Sequence, residues 1–414
     1  MKDPPALPEL QALAERALAH DVAGETQATA VWERENGADR LSVEVTCVIG
    51  GRAARAETGG VSDEDLRRAV RAAALHARRP RAWPTPGLPG PVPGGSDVSA
   101  PAIADPGGAS APAPPPPLPE VAGVELAVHT TARRVAIAST RGVRAAGQSS
   151  RAVAQALAHA PGRTIRLRAA AATLAGLPLD ALASEAGALR LDGLDPVDLP
   201  PGELPVVLGH DAVATILDHL RPAFGVELDL GSGPLHRRLD TRVAAAAVDL
   251  ATPAGGFDAE GVPSRHVRLI EAGIARRRVH DTASAARTEG AASTGHATRA
   301  AALAPMPSRL ALGPGEAPDV PALCAPVEHG LYVPALSMSR EADGDAFRHT
   351  THGAVLIRHG EAATPVRDGA LLIHPLAVLA SVEALTAATR TIPLTQDGEA
   401  GVPALRAAGG CRGA

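Results

Sequence analysis

Lysine is nearly missing from this 414-residue chain: of 40 basic residues, only Lys2 is a lysine. That scarcity excludes chemistry built on a positioned interior amine, such as a P-loop lysine, a Schiff base or a Ser-Lys dyad. Aromatic residues are almost as rare. Trp32, Trp83, Phe224, Phe257, Tyr332 and Phe347 are the full set, too few and too scattered to stack successive bases of a nucleic-acid strand. A formal charge of −5 offers no overall attraction to a phosphate backbone. No nucleic acid is therefore expected as a partner. The three cysteines, Cys47, Cys324 and Cys411, make no C-x-x-C pair and cannot supply a disulfide framework. No apolar run reaches the length of a membrane span, and Met1-Lys2-Asp3-Pro4-Pro5 lacks the apolar core of a secretion signal. A cytoplasmic protein without membrane contact is expected.

Proline and glycine are abundant, and they cluster. Residues 80–119 hold 14 prolines and 6 glycines, a composition that sustains neither a helix nor a central strand. This stretch reads as a linker or disordered insert. Before it the pattern is helix, strands, helix. Leu10, Leu13, Ala14 and Ala17 share one helical face within residues 7–19. Ala28–Trp32 and Leu41–Val48 alternate as strands do, with Asn36-Gly37 between them as a hairpin turn. Ser62 and Asp65 have capping-box spacing, and Val61 and Leu66 that of a hydrophobic staple. Leu66, Ala69, Val70, Ala73 and Ala77 then trace a buried face that ends at Pro80. After the linker, Val124–Val128, Arg134–Ala138, a segment from Val143 and the alternating run Arg163–Arg168 read as strands. Pro178–Ala188 and Ala212–Leu220 read as helices. No internal repeat of fixed period is present.

General catalytic motifs do not emerge. There is no G-x-S-x-G nucleophile elbow, and Gly231-Ser232-Gly233 does not complete a dinucleotide-binding G-x-G-x-x-G. Cys47, in an apolar alternation, reads as core, and Cys411, near the C-terminus, as mobile. Arg276-Arg277-Arg278 reads as a solvated strand edge. His210 and His219 are nine residues apart on one helix and fall on opposite faces, so one straight helix cannot aim both at a single metal. The bland reading is an N-terminal His210 beside a capping Asp211, with His219 in solvent. His349, His352 and His359 form the densest histidine cluster, but an extended strand points positions three apart to opposite faces. Asp343-Gly344-Asp345 lacks the full spacing of a calcium loop.

A resemblance carries further. Glu203–Leu208, Phe257–Pro263, Leu269–Gly273, Ser293–Arg299, Leu312–Gly315, Gly330–Val333, Gly353–Glu361 and Pro365-Val366 follow one another in an order similar to that of the TldD/PmbA family, also called modulators of DNA gyrase. That family has two kinds of subunit. The TldD kind resembles a zinc peptidase, with an H-E-x-x-x-H fingerprint and a further cysteine ligand from near the C-terminus. The PmbA kind, or TldE, lacks the fingerprint and pairs with the first. Laid on H-E-A-V-G-H, this chain reads His210, Asp211, Ala212, Val213, Ala214, Thr215. A neutral threonine hydroxyl is not a usual zinc ligand, and Asp211 reaches one carbon–carbon bond less far than a glutamate base. The cysteine of the TldD pattern precedes the final strand, where Thr391–Val402 has none.

The resemblance thus implies an α+β protein. Residues 1–79 and 120–200 would form an N-terminal domain of antiparallel strands with packed helices, separated by the 80–119 segment. Residues 201–414 would form a mostly-β C-terminal domain. It further implies a non-catalytic PmbA/TldE-like subunit, without its own catalytic or metal residues, of a peptidase that acts on peptides or unfolded proteins. Zinc is expected only in a TldD-like partner. On family match, Asp258, Glu260, Gly261, Ser293, Thr294 and Gly295 are candidates for a peptide or partner cleft, and turn chemistry that closes hairpins is the competing reading. Two other functions stay open. One is a stand-alone peptide-binding or regulatory protein, favoured by the proline-rich insert, which departs from the family. The other is a divergent metallopeptidase using His210 with the histidines at 349–359.

Overall fold

The computed structural model describes residues 4–22, 24–79, 82–91, 98–99, 118–225, 235, 238–299, 305–338, 341–343 and 346–413. Gly231-Ser232-Gly233, Gly344 and Asp345 lie outside the described residues. The architecture is α+β, with helices packed on an N-terminal antiparallel sheet and strands dominating the C-terminal half.

Among the described residues, eight strands make the first sheet: β1 (Glu25–Glu35), β2 (Ala38–Ile49), β3 (Arg52–Thr58), β4 (Trp83–Pro84), β5 (Val98–Ser99), β6 (Val124–Ser139), β7 (Arg144–Ala160) and β8 (Arg163–Ala171). They run in the order β4-β3-β2-β1-β6-β7, with β5 and β8 both paired to β7. Asn36 and Gly37 take φ of 47° and 86°, the left-handed pair that a tight β1–β2 turn requires. The expected strands 124–128 and 134–138 are one continuous strand. Thr130 to Arg133 pair with Ala152 to Ser149 without a break, and Thr131 and Arg133 face an open side of the sheet. Within the proline-rich segment, β4 pairs with the edge strand β3, and Leu88 packs against Val48 and Ala53.

Strand alternation divides this sheet into two faces. Ala28, Ala30, Trp32, Val43, Val45, Ala136 and Ala138 point to helices α1 (Leu7–Leu18) and α2 (Asp63–Ala77), which bury the anticipated stripes. Ser62 Oγ caps α2 by accepting from Asp65 N at 3.2 Å, while Val61 stays exposed rather than forming a staple. Cys47 is buried in this core. The opposite face carries Thr29, Glu33, Thr131, Arg133, Val135 and Ile137. Further along, Ile165 and Leu167 of β8 pack with α3 (Leu179–Ala188). Arg166 and Arg168 alternate with them and turn the other way.

Among the described residues, the C-terminal half contains a ten-stranded and a six-stranded sheet. At the centre of the larger one, the parallel pair 206–208/329–333 lies beside the long hairpin 382–393/399–407. Helix α4 (His210–Leu220) is buried on nearly every side, with Val213, Ile216, Leu217 and Leu220 in the main core cluster. It begins two residues earlier than periodicity predicted, because its cap is backbone. Val213 N donates to Gly209 O at 3.0 Å, and Gly209 N donates to Val333 O at 2.9 Å. A Cβ at position 209 would lie 2.8 Å from Pro334, which explains the glycine. Cys411, expected to be mobile, is instead 1% exposed on a strand paired to Leu371–Ile373. Burial pushes its thiol up to about 12. Arg276 and Arg277 lie exposed just past the edge strand Ile274–Ala275. No helix among the described residues is long and apolar enough to cross a membrane.

Candidate functional site

Two concave features meet the fingerprint helix and the family-matched loops. The larger is a groove of about 680 Å³ on the face of the first sheet opposite α1 and α2. Its floor is β1, β2, β6 and β7, and its far wall is built by residues 255–259, 295–299 and 306–309. The smaller is a pocket of about 250 Å³ beside α4, lined by Arg166, Arg168, Thr215, Asp218, Ser337, Met338, Pro393, Leu394 and Thr395.

Around α4 the fingerprint positions have separate occupations. Asp211 was expected to cap the helix, but it is 2% exposed and gripped end-on by Arg168 of β8. Arg168 Nε donates to Oδ2 at 2.8 Å and Nη2 to Oδ1 at 2.7 Å, a planar fork on a carboxylate. Thr215 Oγ1 donates to the Asp211 carbonyl at 3.0 Å, the usual back-bond of a helical threonine. His210 is half-buried, and burial, followed by the Arg390 charge, lowers its pKa to about 4. The chemistry of this donor set does not fit zinc: one neutral imidazole, a carboxylate held by a cation, and a hydroxyl. Among the described residues, no group of three or more His, Cys, Asp or Glu is arranged to hold a metal ion.

The other histidines disperse. His219, expected in solvent, stacks on Phe347 at 4.1 Å and meets His349 edge-on at 4.8 Å. Burial and then His349 lower its pKa to about 4. His349 Nδ1 lies 2.7 Å from Ser337 O, and His352 Nε2 lies 2.6 Å from Ser337 Oγ. His359 pairs with Glu328 on an exposed corner. His210 is therefore not the partner of the 349–359 histidines in these packings.

Of the cleft candidates, Asp258 and Gly295 line the groove, while Glu260, Gly261, Ser293 and Thr294 stand behind its wall. Their hydrogen bonds build the wall. Asp258 Oδ1 accepts from the backbone N of Glu260 and of Val262, both at 2.9 Å, and Oδ2 accepts from Ala297 N at 2.8 Å. One carboxylate thus ties the 257–263 turn to the 293–299 segment. Burial and the neighbouring Glu260 push Asp258 up to about 8, with the three N–H donors opposing them. Burial also raises Glu260, whose Oε2 accepts from Thr282 Oγ1 at 2.6 Å. Gly261 has φ of 78° and a missing Cβ that would sit 2.7 Å from Val143 Cγ1, so the turn seats directly on the first sheet. Gly295, at φ 73°, would place a Cβ 2.2 Å from Pro263 O. Ser293 Oγ and Thr294 Oγ1 donate to His280 O at 3.3 and 3.0 Å.

Three groups escaped the sequence reading. His296 is 4% exposed in the groove wall, with Nε2 3.1 Å from Thr252 Oγ1, and burial lowers its pKa to about 4. Arg166 and Arg168 were visible only as the polar half of an alternating strand. Nothing in a strand pattern tells which helix will lie across it.

Comparison with known proteins agrees with this geometry. Residues 201–409, just over half of the chain, match the family model described as the PmbA/TldA metallopeptidase C-terminal domain. A protein named as a metalloprotease from Synechocystis sp. is 33% identical over 145 residues, which is 33% of this chain and 31% of that relative. The chain thus spans less than a third of the length of that curated relative. Across the whole chain the likeness is one of fold. TldE from Thermococcus kodakarensis superposes with a TM-score of 0.74 at 16% identity, covering 97% of this chain and 99% of that one. A Thermotoga maritima structure described as a candidate modulator of a DNA gyrase gives 0.72 at 17% identity, covering 96% and 98%. The family match falls on the half that contains α4, the groove wall and the long hairpin, and so this chain belongs to the PmbA/TldD family of metallopeptidase-related proteins.

Proposed function

We propose that this chain is a non-catalytic, TldE-like subunit that completes the peptide-handling cavity of a TldD-type zinc peptidase. The observation that carries the reading is the bidentate grip of Arg168 on Asp211. A carboxylate that must take a proton from water needs a free oxygen within hydrogen-bond reach of that water. Here both oxygens are held by a guanidinium, and the second histidine of the fingerprint is a threonine bonded to its own helix. Zinc and its bound water belong, on this reading, to the partner. The groove on the first sheet supplies exposed strand faces and a polar wall, which suit an extended peptide or unfolded segment.

The test is reconstitution with a TldD-type protein that carries H-E-x-x-x-H. Co-elution of the two chains, with peptidase activity that exceeds that of the partner alone, is the expected result. Absence of a complex and no change in activity on mixing would sink the subunit reading. Zinc-dependent hydrolysis by this chain alone, abolished by His210→Ala, would replace it with a divergent peptidase. A stand-alone peptide-binding role draws on the breadth of the groove, about 680 Å³ along the face of the first sheet. It predicts peptide binding that is indifferent to the partner.

A further inference from the structure

The small pocket beside α4 has an unbalanced charge. Asp211 is matched by Arg168. Asp218 is matched by Arg221 at 3.0 Å and also accepts from Thr395 N at 2.8 Å and Thr395 Oγ1 at 3.2 Å. Arg166 has no carboxylate partner among the described residues. Its Nη2 donates to Leu336 O at 3.3 Å, and its Nε is buried without any acceptor. Burial, followed by the neighbouring Arg168, lowers its pKa, and the nearby Asp211 charge opposes them. A half-buried cation with no carboxylate in direct contact gains more from an anion than an exposed one does, because its surroundings screen the attraction less.

The geometry points to a binding subsite for the free carboxylate of a peptide's C-terminal residue. Arg166 brings its guanidinium charge to the pocket wall, with the Thr215 and Thr395 positions beside it. Asp218 stands in the same wall and disfavours a dianion, so a singly charged carboxylate suits the pocket better than phosphate. Met338, Pro393 and Leu394 complete the lining with apolar surface for the side chain next to the carboxylate. At about 250 Å³ the cavity is below the usual size of a drug-sized ligand site and matches roughly one residue. The subsite rests on the peptide-handling reading of the chain but not on its subunit role. It is formed by this chain alone.

Calorimetric titration of the purified full chain with N-acetyl-L-leucine, N-acetyl-L-leucinamide and inorganic phosphate tests it. The acid is expected to bind saturably, the amide at least tenfold more weakly, and phosphate more weakly than the acid. Arg166→Met should abolish acid binding. Met338→Glu introduces a carboxylate at a residue 39% exposed on the pocket rim, where folding is undisturbed, and should block the acid by occupying Arg166. Equal binding of acid and amide would overturn the proposal, as would no acid binding at 10-millimolar order or undiminished binding by Met338→Glu. Phosphate binding as tight as the acid would replace the carboxylate subsite with a general anion site. Because these readouts need no partner, they remain separate from the failure or success of reconstitution.

Discussion

Replacing Arg168 with methionine keeps much of its aliphatic stem and removes the guanidinium that holds Asp211. The carboxylate left behind is 2% exposed and loses both hydrogen bonds that Arg168 supplies. Breaking a buried pair from one side costs about 3–5 kcal/mol, because the remaining charge stays desolvated. Two features favour the lower figure. The Arg168 side chain is 25% exposed, so water can follow it into the gap, and Asp211 lies in the first turn of α4, where the helix dipole favours a negative charge. The expected loss is therefore about 3 kcal/mol. The double variant Arg168→Met/Asp211→Leu removes both charges and should recover to within about 1 kcal/mol of the parent. Urea unfolding followed by circular dichroism would measure all four corners of the cycle, provided the slopes stay equal. A loss below about 1 kcal/mol for Arg168→Met would refute the reasoning, since Asp211 would then be neither dry nor dependent on Arg168.

His296 gives a pH signature. Its folded pKa is near 4 against 6.5 for the free group, so its contribution is complete above pH 6.5 and is lost as pH falls toward 4, when the unfolded chain takes up a proton and the folded chain does not. The limit is about 3 kcal/mol. His296→Gln should flatten that slope in melting temperature between pH 7 and 4.5, and a variant with the parent's slope would show that the ring does not titrate as argued. The comparison isolates this histidine from Asp258 and Glu260, whose carboxyls are both raised by burial and so contribute with the opposite sign as pH falls. Asp258→Asn retains one acceptor oxygen where two serve three N–H groups, and should cost about 1–3 kcal/mol in denaturant unfolding. Parent-like stability would mean that solvent satisfies the turn. Gly261→Ala, strained at φ 78° and crowding Val143, should lose at least about 1 kcal/mol, and an unchanged urea midpoint would argue against the seating of this turn on the first sheet.

Local signals in the chain were legible where one element decided its own fate. The buried faces of α1 and α2, the Asn36-Gly37 turn and the alternation in β8 follow from period, cap and φ preference. Elements whose role depends on distant partners were not legible. Cys411 looks terminal and free, but residues 371–373 provide it with a strand to pair with. His219 looks solvated on its own helix, and becomes an aromatic contact only because the strand 346–352 brings Phe347 and His349 across it. Val124–Val128 and Arg134–Ala138 look like two strands because polar residues intervene, but Thr131 and Arg133 among these face the open groove and the pairing runs on unbroken.

The fingerprint itself shows why site and fold have to be read together. On the chain, Asp211 and Thr215 are two departures from a zinc motif. In the fold, Asp211 sits almost without water, and an ionised carboxylate there requires a compensating cation whether or not a metal is bound. That cation comes from β8, 43 positions earlier in the chain and outside the matched C-terminal region. Arg168 and Asp211 thus form one electrostatic arrangement, while Thr215 is bonded within its own helix. The same strand, two residues back, brings Arg166 to the same pocket with no carboxylate in direct contact, and the proposed carboxylate subsite is built on it.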